Sequence, residues 1–391
     1  MKELVIIMIY LDSTATTPVS DEVLKAYEEV ATKCWYNASS IYKVGLQANQ
    51  LFEKAEKVCL DALGVTNKKI VFTSGATEAN NLAIYGVCNN YLNQNKKIIT
   101  TSIEHPSVLS CFNDLEKKGF KVVYLDVLEN GQINLETLKK EIDNDTILVS
   151  IMWVNNIIGA IQPIDKVIEI VRKYPRVKLH VDAVQGLAKL KPHFSFNDVD
   201  MFTMSAHKIN GLKGTGALFY QSNINLNAPL KGSMQQDGLK PGTINVAGSV
   251  ACAKAIQIAT KNMDEHFTYV KELNDYFRDL VKENPDIIIN SPSFSYSPYI
   301  INISILNINS ETMLHIFEKH EIYLSAGSAC NSKQKTPERT VLAVTNNKER
   351  ALSSIRISFS YLNTKEEIDT LVKVLEEITS SKTISKTNKG K

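Results

Sequence analysis

Val177-Lys178-Leu179-His180-Val181-Asp182-Ala183-Val184-Gln185 is a short apolar run that ends on an acid and then turns polar. A second run, Asp200-Met201-Phe202-Thr203-Met204-Ser205, ends on a serine and leads into Ala206-His207-Lys208, followed by Gly211, Gly214 and Gly216. Both read as buried strands whose carboxyl ends carry chemistry-bearing side chains. Upstream, Lys69–Phe72, Lys97–Thr100, Lys121–Leu125 and Thr146–Ile151 have the same β-branched, apolar character. Between them, Glu78–Leu92, Pro106–Lys118, Asn134–Ile142 and Ile164–Lys173 place apolar residues at helical intervals. Alternation of this kind predicts an α/β fold, with a mainly parallel sheet covered by helices on both faces. Ligands of such sheets bind in the loops beyond the carboxyl ends of the strands.

Outside that block, Ser20 followed by Asp21 and Glu22 predicts a helix start, with acids at its positive end. A long helical stretch over 247–282 leads into strand, helix, strand, helix at Ile300–Leu306, Ser310–His320, Ser354–Ser358 and Thr364–Ile378. These boundaries predict a large domain over 16–260 and a smaller α+β domain built from 1–15 and 261–378. Residues 379–391, lysine-rich and without a core pattern, are expected to be an unstructured tail. No internal repeat is visible.

The 391 residues contain 44 Lys+Arg against 42 Asp+Glu, a formal charge of +2. So even a balance argues against a nucleic-acid or acidic-lipid binder, which needs a concentrated positive field. With 44% hydrophobic and 22% charged residues, the chain has the composition of an ordinary globular protein. Cys34, Cys59, Cys88, Cys111, Cys252 and Cys330 form no CxxC pair and no zinc spacing, which suits a reducing compartment. The apolar run Leu4–Leu11 is too short to span a membrane. Glu3 and Asp12 argue against a signal peptide, so a buried strand and a cytoplasmic protein are expected, with Met8 as an alternative start.

Three elements bear chemistry. Lys208 beside glycines has a plain reading as a surface lysine in a turn. At a strand's carboxyl end it can instead be the sheltered amine that attacks a carbonyl, where its pKa can fall. Asp182 has a plain reading as a helix cap; a buried carboxylate there can also pair with the protonated pyridine nitrogen of pyridoxal phosphate. Lys208 stands 26 positions after Asp182, consistent with neighbouring strand ends. In Phe72–Asn81 a strand runs through Ser74-Gly75 into a helix opening at Ala76 and Thr77, either a plain turn or a phosphate cradle. Neither the Walker spacing nor a Rossmann GxGxxG after a first strand is present.

Together these elements resemble pyridoxal-phosphate enzymes of the aspartate-aminotransferase fold (fold type I), and most closely the NifS/IscS cysteine desulfurases of the class V aminotransferase group. The landmarks Ala15–Pro18, Asn37–Ser40, Thr73–Asn81, Glu104-His105, Val154–Asn156, His180–Gln185, Ser205–Lys208, Gly242-Thr243, Gly327–Cys330 and Ile355–Ser358 stand in family order along almost the whole chain. The resemblance implies that Lys208 holds the cofactor and moves protons, Asp182 pairs with the pyridine nitrogen, and His105 stacks on the ring. It further implies that Asn156 and Gln185 address the phenolic oxygen, while Ala76, Thr77, Ser205 and His207 bind the phosphate. Thr243 would reach that phosphate from the other subunit of a homodimer. Arg356, with Asn156, would hold the substrate carboxylate, for which a bidentate guanidinium suits better than an ammonium.

A lone cysteine is ordinarily a small buried hydrophobe. Cys330 sits among Ala326, Gly327, Ser328, Ala329, Asn331 and Ser332, a small and polar run that promises exposure. By resemblance it takes sulfur from L-cysteine as a persulfide, leaving L-alanine, and passes it to an acceptor protein in iron–sulfur cluster assembly or in tRNA or thiamine thiolation. The chain departs from the family pattern at Ser13, Thr14, Tyr42 and Ile157, and most across Lys231–Thr243. There Ser233 and Met234 replace glycines, Gln236 an acid, and Lys240 an arginine; side chains where glycine allows positive φ or close approach are expected to change this loop, and with it dimer geometry or cofactor affinity. A selenocysteine or cystine lyase, and a weakened paralogue serving as a scaffold, are the competing readings.

Overall fold

The computed structural model describes residues 8–327 and 336–387, with side chains as far as 380. Its centre is a seven-stranded sheet, ordered Lys68–Thr73, Gly216–Gln221, Met201–Ser205, Lys178–Asp182, Thr146–Met152, Lys97–Thr101, Lys121–Leu125. Every neighbouring pair is parallel except the two made by Gly216–Gln221, which runs antiparallel to both neighbours. Thr146–Met152 is buried at every position, as an inner strand covered on both faces must be. Phe202 and Phe219 face each other across the antiparallel pair and stack at 4.4 Å, a cross-strand contact that pins the register.

The strand Gly216–Gln221 and the twenty-residue helix Lys43–Ala62 lie outside the elements expected from periodicity. The strand was concealed by its glycine-rich approach. Ser20 does cap a helix, Asp21–Lys33, by accepting from the Val23 amide. The long helix over 247–282 is in fact two, Val246–Lys261 and Met263–Val281, divided at Asn262. Asparagine competes for backbone hydrogen bonds and so favours helix ends.

A second sheet pairs Ser354–Ser358 with Ile300–Ser304, and that strand with Ile288–Ile289, all antiparallel. The described start of the chain is tied to it: Ile9–Tyr10 pairs with Ile322–Tyr323, and Asp12 bridges Ser358. The Ser13 hydroxyl donates to the Phe359 carbonyl at 2.6 Å, which gives this departure from the family pattern a local role. The last helix, Lys365–Thr387, runs past 378, where the sequence alone suggested a tail. Once nucleated, a helix gains a hydrogen bond per added residue without needing a core stripe. Among the described residues no helix is long and apolar enough to cross a membrane.

Candidate active site

The carboxyl ends of the parallel strands converge on one edge of the sheet, and a cavity of 550 Å³ opens there. Ala76, Thr77, His105, Asn156, Asp182, Gln185, Ser205, His207, Lys208 and Arg356 all line it. These are ten of the twelve residues singled out above. Thr243 does not; it lines a smaller neighbouring cavity of 240 Å³ with Thr73, Ser74 and Lys240. Cys330 lies outside the described residues, although Gly327, three positions before it, is on the wall of the larger cavity.

Lys208 follows the strand that ends at Ser205, and its Nζ donates to the carbonyls of Thr14 and Ala15, each at 2.6 Å. Burial pushes its pKa down to about 8, the Arg356 guanidinium pushes the same way, and Asp12 and Asp182 oppose. The free amine is therefore half populated near pH 8, and its share rises with pH. In protein freed of cofactor, the rate at which Lys208 reacts with pyridoxal phosphate should rise through a midpoint near pH 8. An exposed lysine would titrate above pH 10; a midpoint there would contradict the sheltered amine.

Asp182, the last residue of its strand, is buried and accepts from Asn80 Nδ2 at 2.9 Å and from the Val184 amide at 3.1 Å. Asn80 is in turn held by the Thr203 hydroxyl and bonds Ser107. Among the described residues this carboxylate has no ion pair. A buried anion without a cation is costly, and a protonated ring nitrogen is the partner that would offset it. The two bonds from Asn80 and the Val184 amide fix the carboxylate at the cavity wall.

His105 caps the helix Pro106–Lys117, its Nδ1 accepting from the Ser107 amide at 3.1 Å. That bond fixes the plane of the ring. Burial, with Lys208 and Arg339 nearby, lowers its pKa despite Asp182, so it is neutral at physiological pH. His207 is pushed down to about 4, chiefly by burial and then by Lys208, Lys213 and Lys189. It too is uncharged at pH 7, so toward an anion it can offer a hydrogen bond but no charge.

At the far end, the helix Ala76–Cys88 begins at Gly75 with no side chain capping its first amides. Gly75 has φ 152°, and a Cβ on Gly216 would come within 2.7 Å of the Gly75 Cα, so sheet and helix start meet as only glycines allow. Free amides, the helix dipole, Ser205 and Lys213 suit a phosphate group. Lys213 was not anticipated from sequence; its position after Lys208 in a glycine-rich stretch was the available signal. Opposite, Arg356 is held by Asp12 at 2.7 Å and by the Asn156 carbonyl at 3.0 Å, and among the described residues its Nε has no partner. Asp12 was likewise missed, because the two residues are 344 positions apart.

The divergent loop is accommodated by its backbone. Neither Ser233 nor Met234 has a positive φ; Gln236 (49°), Asp237 (59°) and Gly238 (74°) do. The strain therefore sits on the residues just after the lost glycines. Gln236 meets the outermost strand with both halves of its amide, accepting from the Phe72 amide at 2.7 Å and donating to the Phe72 carbonyl at 3.2 Å. A carboxylate in its place has nothing to donate. Lys240 pairs with Glu78 at 2.9 Å, and Glu78 also accepts from the Ser74 amide, so the loop is tied to the phosphate cradle. Ile157 packs with Ile158, Val341 and Val344 in an apolar cluster where an acid would be unsolvated.

A lysine at a strand end, a buried carboxylate and a helix-start anion cradle around one cavity define the class of pyridoxal-phosphate-dependent α/β enzymes. The family model for class-V aminotransferases matches residues 9–371, and the chain belongs to that family. It is 39% identical to a NifS/IcsS protein homolog of Lactobacillus delbrueckii subsp. bulgaricus, covering 95% of this chain and 97% of that protein. It is 36% identical to cysteine desulfurase IscS of Dictyoglomus turgidum, over 95% and 94% of the two chains. A solved structure described as a NifS-like protein superposes with a TM-score of 0.88 at 34% identity, over 96% of this chain and all of the other.

Proposed function

We propose that this chain is a pyridoxal-phosphate-dependent cysteine desulfurase, converting L-cysteine to L-alanine and delivering the sulfur as a persulfide on Cys330. The observation that carries the reading is the shared cavity: Asp182 at the end of one strand, Lys208 just past the end of the next, and Arg356 in the middle of a strand of the second sheet all line it. When bound, pyridoxal phosphate supplies an electron sink for the bonds broken at the substrate. The protein supplies the rest. Asp182 keeps a positive charge on the ring nitrogen, His105 covers the ring, and the amides at Ala76 and Thr77 anchor the phosphate with Ser205 and His207. Arg356, with Asn156 beside it, orients the substrate carboxylate. Lys208, with a pKa near 8, both takes and returns a proton at the substrate carbons near neutral pH.

Gly327, three positions before Cys330 in sequence, lines the cavity, which supports Cys330 as the sulfur acceptor. The exposed apolar side chains Trp35, Ile41, Tyr42 and Met234 support a homodimer, from whose other subunit Thr243 completes the phosphate site. The two-domain division at 16–260 and at 1–15 with 261–378 is supported by the separate sheets in those ranges and by the pairing of Ile9–Tyr10 with Ile322–Tyr323. Five free cysteines among the described residues support a reducing, cytoplasmic setting. The acceptor is a sulfur-carrying protein of iron–sulfur assembly or of tRNA thiolation.

The decisive experiment supplies purified, cofactor-loaded protein with L-cysteine and a reducing thiol and measures alanine and sulfide. Equal amounts of both are expected. Neither product from folded, loaded protein would leave the scaffold reading in its place.

A further inference from the structure

Among the described residues Lys189 is a buried lysine beside the cavity that the proposed chemistry does not use. It is 7% exposed, and among the described residues it makes no ion pair. Its Nζ donates to Gln185 Oε1 at 3.3 Å and lies 5.6 Å from the centre of the Tyr299 ring. The backbone that aims it is itself unusual. Ala188, just before it, has φ 57°, a left-handed conformation that residues with a Cβ adopt rarely. Gly186 leaves room for Trp153, since a Cβ there would stand 2.3 Å from the indole. The turn after Asp182 is therefore over-determined, and it directs an amine into the interior.

What that amine meets gives it a purpose. The Gln185 amide has a partner at each end: Oε1 accepts from Lys189, and Nε2 donates to the Thr14 carbonyl at 3.2 Å. A carbonyl only accepts, and a lysine amine donates in either protonation state. The same Thr14 carbonyl accepts from Lys208. With Oε1 turned to Lys189, the second Nε2–H is the free donor of a side chain that lines the cavity.

We infer that Lys189 is a positioning residue for the cofactor: its buried amine sets the sense of the Gln185 amide, so that Gln185 offers N–H rather than C=O to the phenolic oxygen. Without Lys189 the amide keeps only its 3.2 Å bond to the Thr14 carbonyl, which Lys208 also uses, and a turned amide sets a carbonyl against an anionic oxygen, which repels it. The burial of Lys189, together with Lys208 and Arg356, pushes its own pKa down to about 7. Its donor function survives that change, because the neutral amine also donates.

This inference rests on the cavity's binding pyridoxal phosphate, not on which amino acid is turned over, so its test reads the cofactor. The visible absorption band of loaded protein is titrated with pH for wild type, Lys189→Met, Lys189→Gln, Gln185→Ala and the Lys189→Met/Gln185→Ala pair. Lys189→Met should raise the midpoint by about one pH unit, the scale of one charge-assisted hydrogen bond. Lys189→Gln, which removes the charge but keeps a donor, should recover most of that shift. In the Gln185→Ala background, Lys189→Met should add nothing, the signature of two residues acting as one. Equal shifts with and without Gln185, or a Lys189→Gln midpoint matching Lys189→Met, would overturn the inference in favour of a charge effect. Should Lys189→Met not fold, Lys189→Gln against wild type and Gln185→Ala decides alone: a midpoint displaced as far as that of Gln185→Ala overturns the inference. Wild-type protein that takes up no cofactor would instead overturn the cofactor reading itself.

Discussion

Lys208→Ala protein releases no alanine from L-cysteine above a background on the order of 10⁴-fold below wild type, since one side chain supplies both the cofactor's attachment and the proton transfers. The fold should persist. Removing Lys208 takes away a buried amine that stands among Arg356 and Lys189, and leaves two carbonyls, of Thr14 and Ala15, to be satisfied by water. Circular dichroism of the variant should match wild type, while gel filtration should strip its cofactor. Lys208→Arg is the sharper control. It keeps a cation at the strand end but cannot present a free amine near neutral pH, and it should be equally inactive. Turnover within tenfold of wild type in either variant would remove Lys208 from the chemistry.

Cys330→Ala should take up cofactor with the wild-type spectrum and bind L-cysteine, yet form no protein persulfide. Arg356, Asp182 and the phosphate cradle are untouched by this change, so binding and transfer separate cleanly. Mass spectrometry after incubation with L-cysteine should show one added sulfur on wild type and none on the variant. Cys59, Cys88, Cys111 and Cys252 are buried, and burial pushes each thiol pKa up, to about 12 for Cys111 and Cys252. Such thiols carry almost no thiolate at pH 7 and cannot take over as nucleophile. Cys34 is only partly buried. Sulfur found there in the variant would mean that the nucleophile has been misassigned.

Much of this was legible along the chain because it is local. The strands Lys121–Leu125 and Ser354–Ser358 fall where their β-branched runs predict, and the others shift by a residue or two at their ends. The helix starts at Ser20 and Pro106 follow from capping chemistry carried within a few residues. Nine of the ten site residues that share one cavity sit at or after the carboxyl end of a strand of the large sheet, a position that periodicity locates; Arg356 comes from the second sheet. The strand Gly216–Gln221 was not legible, since antiparallel insertion into a parallel sheet leaves no local mark.

Pairings between distant segments belong to the tertiary structure alone. Asp12 holding Arg356, Asn80 holding Asp182, Thr14 accepting from Lys208 and Gln185, and Gln236 closing on Phe72 each join residues far apart in sequence. Hydrogen-bond partners depend on distances of a fraction of an ångström, and those are set by how strands and turns pack, not by residue order. Residue types and their spacing decide which chemistry the chain can hold. Whether Lys208 is a cation or a usable amine is decided by burial and by neighbours such as Arg356, which reach the site only once the second sheet is folded against the first.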